Sequence, residues 1–409
     1  MAHVEDRWHR QGRDGRQERT ARYGSGKRWR VRYLDPDGRE RGRSFDRKID
    51  ADRFKIQVEA DVLRGTYLDP DAGKVTLRRH AEQWVQGWHR DSTRGEGVRS
   101  QLVHHIIPGL GRYTLAQLAA RPSIIQQWLT GLPVSAGYAE QVFITLSQIL
   151  ATAHDDGLIG RNPCKAKSVR VPRPAHRKVI PWTADEVARV RAALPERYRA
   201  VADCGSGLGL RLGEILGFGP DEADFLRHRV HVRRQVKRQG GRLWFAAPKG
   251  GRDRDVPLPE SLALRLAAHL SAFPAGEVTL PWNEPGSKQH GRPVTAALMF
   301  TSRRGGAINE STFNTTAWRP AREAAEVAHD QYRDGVHALR HYYASVLLAD
   351  GTDIRTLSEY LGHHDPAFTL RIYTHLMPSA EERALKIIEA AFAEQDHGPD
   401  MAQESENPW

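Results

Sequence analysis

Arginine, lysine, histidine and tyrosine recur in five short stretches whose order along the chain says more than any one of them. The first is Gly209-Leu210-Arg211-Leu212-Gly213-Glu214-Ile215-Leu216. Read as part of a helix over 208–218, it puts Arg211 and Glu214 on one face, with Leu212, Ile215 and Leu216 turned inward. An arginine held there by a carboxylate offers a planar fork for two phosphate oxygens. Alone, the same pair reads as a surface ion pair. The second stretch is Pro248-Lys249-Gly250-Gly251-Arg252, between two predicted strands. A lysine at a glycine-rich hairpin tip can reach a site on another element and deliver a proton, although an ordinary turn lysine is commoner. The third, His337-Ala338-Leu339-Arg340, opens a helix whose apolar side runs Leu339, Tyr342/Tyr343, Val346 and Leu347. His337 and Arg340 share a face away from much of that core. In the fourth, Leu361-Gly362-His363, Gly362 ends the helix that contains Ile354 and Leu357. The fifth runs from Asp365 to Tyr373. Asp365 as N-cap and Pro366 at the first helical position start a short helix with Tyr373 two turns in. A lone tyrosine there is ordinarily a packing residue.

The elements around these stretches can be read from periodicity. Trp29, Val31 and Tyr33 alternate with Arg30 and Arg32 as a strand, Asp35-Pro36-Asp37-Gly38 turns the chain, and a second strand carries Arg41, Arg43 and Phe45. A helix follows from about Asp50, which can cap it. The unit is a β-hairpin plus helix, its arginines on the face opposite Trp29, Val31 and Tyr33; it is a small DNA-reading sheet or a solvated ribbon. Leu77, Ala81 and Trp84/Val85, then Leu115 and Leu118, then Val142, Leu146, Ile149, Leu150 and Ala153 recur at helical spacing through residues 76–162. Lys165 to Arg177 holds five basic residues, Pro172, Pro174 and no acid, and reads as an extended linker, either a strap on a phosphate backbone or a plain hinge. Thr183 and Glu186 match a capping box. Strands are expected at 230–233, 243–245 and 256–258, an inserted Pro/Gly-rich loop at 274–297, and helices from about Thr312 to Phe392.

Composition bounds the answer. The 409 residues suggest two or three domains, and 39% hydrophobic with 27% charged is a globular mixture. No run of roughly 18 apolar residues occurs, and the Arg-studded first twenty residues lack the apolar stretch of a secretory signal. Cys164 and Cys204 are the two cysteines, far apart and in no metal-ligand spacing, which points to a reducing cytosol. The net charge of +11 favours a polyanionic partner, and residues 1–48 hold 15 Lys/Arg against 8 Asp/Glu. Residues 1–22 read as flexible; residues 393–409, with five acids and no Lys or Arg, read as a disordered acidic tail. Arg- and Ala-rich usage hints at a GC-rich bacterial genome.

Taken together and in order, the five stretches resemble the tyrosine recombinase family, the phage integrases and their relatives that resolve chromosome dimers. The resemblance covers residues 180–392, with Tyr373 ten residues after His363. His105-Ile106-Ile107-Pro108 and Asp156-Gly157-Leu158-Ile159-Gly160-Arg161-Asn162-Pro163 resemble the family's core-binding domain, and the hairpin near Trp29 its arm-type domain. The fold implied is mainly α with small β-sheets (α+β). It comprises an arm-type unit (1–66), a helical core-binding domain (74–164), a basic linker (165–180) and a catalytic domain (181–392). The resemblance implies that Arg211 and Arg340 grip a scissile phosphate and that Tyr373 attacks it to form a 3′-phosphotyrosine. It gives Lys249 as acid for the leaving 5′-oxygen, His337 as proton-handling partner, His363 as a donor to phosphate, and Glu214 as support for Arg211 or His337. Arg30, Arg32, Arg41, Arg43, Lys165, Lys167, Arg170 and Arg173 are candidate DNA contacts. Implied partners are double-stranded attachment sites, a homotetramer on DNA, and accessory bending or excision factors. No metal, cofactor or membrane is implied, and the setting is cytoplasmic, on the nucleoid. Two other readings stand beside this one: a type IB topoisomerase-like enzyme, against which the arm-like unit argues, and a non-catalytic DNA-binding regulator.

Overall fold

The chain enters its fold through strand β1 (His3–Asp6), followed by a small antiparallel pair, β2 (His9–Gln11) and β3 (Gln17–Arg19). The computed structural model describes residues 2–11, 16–36, 38–64, 67, 69, 72–87, 93–172, 178–327, 335–376, 385, 388, 389 and 392. They fall in two units, Met1–Ala175 and His176–Trp409. In the first, β4 (Trp29–Leu34) and β5 (Glu40–Phe45) lead into helix α1 (Lys48–Leu63). β4 is the centre of an antiparallel sheet with β1 and β5 at its edges. Val31 and Tyr33 are buried with Ala51 and Val58 of α1, as the alternation predicts.

Three expectations fail in this sheet. Residues 3–6 and 17–19 are strands, not flexible chain; β1 is held by non-local pairing with β4, which a local pattern cannot announce. Helix α1 starts at Lys48 from an Arg47 N-cap without a side-chain cap bond, so Asp50 sits in the first turn and caps nothing. The register sets Val31 opposite Arg43 and Tyr33 opposite Arg41, and opposed residues share a face. Arg41 and Arg43 therefore lie on the apolar face. Arg41 is paired to Asp35 and Asp69, at 3.1 and 2.7 Å, and Arg43 lies over the rings of Phe45 and Phe54. Arg30 and Arg32 hold the opposite face, and Arg32 is bridged to Glu5 and Glu40.

The rest of this unit is helical: α2 (Leu77–Gln86), α3 (Thr93–Gln101), a π turn at Leu102–Ile106, α4 (Ile107–Leu110), α5 (Leu115–Ala120), α6 (Ser123–Thr130) and α7 (Ala136–Asp155). Leu77, Ile106, Leu118, Ile125, Leu146 and Ile149 form the heart of a second core. The described part of the segment beginning at Lys165, residues 165–172, lies against the helical core. Lys165 closes a short 3₁₀ turn capped by Asn162, Val169 and Val171 pack on the helical core, and the Arg170 amide donates to Gln126 Oε1 at 2.6 Å. Its apolar residues dominate its placement, while Arg173 lies outside the described residues. The acidic tail, 393–409, lies outside them too. None of the described helices is long and apolar enough to cross a membrane.

The second unit begins with α8 (Ala184–Ala193), where Thr183 and Glu186 exchange the two bonds of the expected capping box. Then come α9 (Glu196–Leu208), α10 (Leu212–Leu216), β6 (Ala223–Asp224), β7 (Arg229–Val232), β8 (Gln235–Gln239), β9 (Arg242–Ala246), β10 (Arg254–Pro257) and α11 (Glu260–Ala272). The helix expected over 208–218 is broken: Gly209 turns left-handed at φ +62°, and Arg211 is the N-cap of a new short helix. β10, β7 and β6 form one sheet and β8 and β9 another, so the loop with Lys249 joins two sheets and is not a hairpin tip. The expected loop at 274–297 is largely a hairpin, β11 (Gly276–Pro281) and β12 (Pro293–Leu298), with Pro281 and Pro293 paired at its end. Prolines are tolerated on such edges because each strand keeps one side unpaired.

Last come α12 (Glu310–Phe313), α13 (Arg319–Ala324), α14 (His337–Ala349), α15 (Ile354–Leu361) and α16 (Pro366–Tyr373). The buried face of α14 is Leu339, Tyr343, Ala344 and Leu348 with Arg340 among them, whereas Val346, expected inside, is 47% exposed. α14 packs on α9 because Gly205 and Gly209, four residues apart, present no side chain to it. A Cβ would meet Leu339 at 2.8 Å from Gly205 and Tyr343 at 2.4 Å from Gly209. Gly209→Ala combines this clash with an unfavourable positive φ, and a loss of about 2 kcal/mol or more is expected in denaturant unfolding. An unchanged midpoint would mean that the turn yields freely. The whole is mainly helical with small sheets (α+β).

Candidate active site

The break at Gly209 is what aims Arg211. Its amide donates to Glu214 Oε2 and its Nη1 to Glu214 Oε1, both at 2.9 Å, and its Nη2 reaches the Gly362 carbonyl at 3.2 Å. Glu214 is buried and also accepts two bonds from Arg254 of β10, at 2.6 and 3.0 Å. Burial alone would raise its pKa, but the bonds and charge of Arg254, then the charge of Arg211, outweigh it and bring it down to about 2. Glu214 is thus an anion shared by two arginines; the bonds it makes go to these and not to His337. Arg254 also donates from Nε to the Tyr360 carbonyl at 2.8 Å, which ties β10 to the end of α15. Sequence reasoning missed Arg254, though its signal was there. It stands two residues before buried Val256 in a strand, and so shares the inward face.

Arg340 is fully buried. Its Nη1 donates to the Gly209 carbonyl at 2.7 Å, and its Nη2 to the Leu361 carbonyl and to His363 Nε2, the latter at 3.0 Å. Its Nε–H has no hydrogen-bond partner among the described residues. A guanidinium can only donate, so His363 Nε2 is the acceptor and the ring proton sits on Nδ1, 2.7 Å from Thr369 Oγ1. Burial, then the charges of Arg340 and Arg211, push the His363 pKa down to about 3. Gly362, in the left-handed region at φ +61°, makes the turn that exposes these carbonyls, and a Cβ there would meet Arg254 at 3.0 Å.

Tyr373 is 1% exposed at the end of α16, on the same face as buried Thr369. Its hydroxyl lies 2.7 Å from Nδ1 of His341, a residue the sequence reading passed over. Position could have found it, since His341 follows Arg340 directly and shares the helix face of His337. Burial raises the phenol pKa to about 12 against the pull of Arg340 and Arg211. Burial, then Arg340, lowers His341 to about 4. The two groups are therefore both neutral, and the sense of the bond between them is set by the imidazole tautomer. His337, at the start of α14, packs its ring edge to face on His341 with centroids 4.9 Å apart. Its protonation is disfavoured by desolvation, then by His341, Arg340, Arg211 and Lys249.

Lys249 is exposed and lines a cavity of about 180 Å³ with Arg252, Arg254, Gly362 and His363. The second unit therefore gathers Arg211, Glu214, Lys249, His337, Arg340, His363 and Tyr373 in one region. The other candidates lie in the first unit: Arg30, Arg32, Arg41 and Arg43 on its sheet, Arg170 beside α6, and Lys165 and Lys167 in a cleft of about 460 Å³ with His154 and Arg161. Clustered guanidiniums around a phenol can bind a phosphate and favour attack on it.

Residues 182–379 match the phage integrase family. A tyrosine recombinase XerC-like protein of Caldanaerobacter subterraneus subsp. tengcongensis is 28% identical over 280 residues, covering 63% of this chain and 68% of its own. Among solved structures, the Tn1549 transposon integrase in complex with transposon right end DNA covers 77% of this chain and 99% of its own, at TM-score 0.62 and 17% identity. A lambda integrase tetramer bound to a Holliday junction covers 82% and 93%, at TM-score 0.54 and 20% identity. Residues 182–379 thus carry the match to the phage integrase family, and the relatives and solved structures that the chain resembles are tyrosine recombinases and integrases.

Proposed function

We propose that this chain breaks and rejoins double-stranded DNA at attachment sites through a 3′-phosphotyrosine on Tyr373. The observation that carries the reading is the meeting of the Tyr373 phenol with the fields of two guanidiniums, Arg211 and Arg340, each fixed by backbone carbonyls. A phosphodiester repels nucleophiles by its charge, and the two arginines offset that charge and the excess that develops in the transition state. Lys249 protonates the leaving 5′-oxygen. Glu214 holds Arg211, and His337 handles protons at the exposed edge. His363, whose Nε2 accepts from Arg340, donates to phosphate only in its protonated form. Because the phosphotyrosine conserves the bond energy, a 5′-hydroxyl from another strand reverses the step without ATP.

The family, and solved neighbours described with transposon-end DNA and a Holliday junction, support DNA as the partner. On this reading the chain works on the nucleoid as a homotetramer spanning two sites, with accessory bending or excision factors, to integrate or excise a prophage or related element. Residues 1–66 are its arm-type unit, 74–164 its core-binding domain and 181–392 its catalytic domain. Arg30, Arg32, Arg41, Arg43, Lys165, Lys167, Arg170 and Arg173 are its candidate DNA contacts.

The test is a pool of nicked suicide duplexes tiled across the DNA flanking the gene. The expected result is a protein–DNA adduct that survives denaturation and is removed by protease. Strand exchange between two labelled duplexes should accompany it. Rejoining of the same strand alone would point to a topoisomerase, and binding without an adduct to a regulator.

A further inference from the structure

We propose that His341, and not His337, takes the phenolic proton of Tyr373 during strand cleavage, an inference that rests on the reading of Tyr373 as nucleophile. The oxygen that would join phosphorus makes its hydrogen bond to His341 Nδ1, at 2.7 Å. Both side chains are withdrawn from solvent, Tyr373 at 1% exposure and His341 partly buried. The ring of His337, one helical turn earlier, stands against His341 and is one ring removed from the phenol. The charged or titratable groups at His341 are Arg340 and His337 from its own helix and Tyr373 from α16.

The sense of this bond depends on the imidazole tautomer, and the proposal takes the one with its proton on Nε2, in which Nδ1 carries the lone pair that accepts from the neutral phenol. Burial and Arg340 keep the ring neutral at physiological pH, which leaves that lone pair free to accept. Strong basicity is not required, because the proton leaves while oxygen bonds to phosphorus and the phenol becomes far more acidic. In the step, a lone pair on Tyr373 Oη forms the bond to phosphorus and the proton passes to His341 Nδ1, giving an imidazolium. The bond from phosphorus to the 5′-oxygen breaks, its electron pair stays on that oxygen, and Lys249 supplies the proton. In rejoining, a 5′-hydroxyl attacks phosphorus and gives its proton back to Lys249, the tyrosine leaves, and His341 returns the proton to the phenolate.

The experiment measures adduct formation by the full chain on the nicked duplex that gives the strongest wild-type adduct, made with either oxygen or sulfur at the bridging 5′ position. A thiolate leaves without an acid but does nothing for the attacking phenol. His341→Ala and His341→Asn should each slow the oxygen substrate about 100-fold, the scale of general base catalysis. Both should stay slow on sulfur, where Lys249→Ala recovers. Asparagine can still accept the phenol's hydrogen bond but cannot take its proton, and it keeps the site filled should alanine fail to fold. A wild-type rate for His341→Asn, or recovery of either His341 variant on sulfur, would overturn the proposal. An adduct formed by Tyr373→Phe would instead sink the reading of the nucleophile itself.

Discussion

Tyr373→Phe is expected to abolish the covalent adduct, a loss on the order of 10⁴-fold or more, while DNA affinity changes by less than about twofold. The substitution removes one oxygen and nothing else. The ring of Tyr373 belongs to the main core of the second unit, alongside Leu339, Leu357 and Leu361, and phenylalanine fills the same space. The hydrogen bond to His341 is lost, leaving Nδ1 without that partner at a cost of about 1–3 kcal/mol if the ring stays buried. That is small enough for the fold to survive. Filter binding and a denaturing gel on the same samples separate the two effects. An undiminished adduct would move the nucleophile to another residue, whereas loss of binding along with cleavage would mean that the hydroxyl holds the DNA surface in shape.

Glu214→Gln is expected to destabilise the second unit by about 3–5 kcal/mol, because it leaves two buried or half-buried arginines without their shared anion. Protonation should mimic it. The folded pKa of Glu214 is depressed to about 2 from an ordinary 4.5. Its contribution is therefore complete above pH 4.5 and is lost as pH falls from there toward 2, about 3 kcal/mol in all. Urea unfolding at pH 7 and pH 3 reads both effects. The wild type should lose more stability between the two than the variant, which has no carboxylate left to protonate. Equal midpoints for the two proteins at pH 7 would show that the arginines do not depend on the charge.

Much of the site could be read from the chain, because its parts are short local devices. Asp365-Pro366 marks a helix start, Gly362 a left-handed stop, and Tyr373 follows two turns into the helix that Asp365 caps. What could not be read is what distance in sequence hides. Glu214 meets Arg254 across forty residues, and His341 meets Tyr373 across thirty-two. Arg254 sat in plain view on the inward side of a strand, but its partner depends on how β10 reaches α10. The same holds for the arginines of the first sheet. Alternation placed Arg30 and Arg32 correctly, whereas the side taken by Arg41 and Arg43 depended on the register across the turn. The segment 3–6 had no signal of its own, since a short polar strand exists only by virtue of its neighbour.

The two arginines of the site are oriented in large part by oxygens that belong to no side chain, the carbonyls of Gly209, Leu361 and Gly362. A carbonyl cannot be mutated away. Substitution at residue 361 leaves its oxygen in place, and at 209 and 362 selection acts on the shape of a turn, through the φ that glycine alone adopts at little cost. The geometry that aims these cations is therefore insulated from drift over most of the sequence and vulnerable at two glycines. Such a site can be inherited almost unchanged by chains that have little else in common.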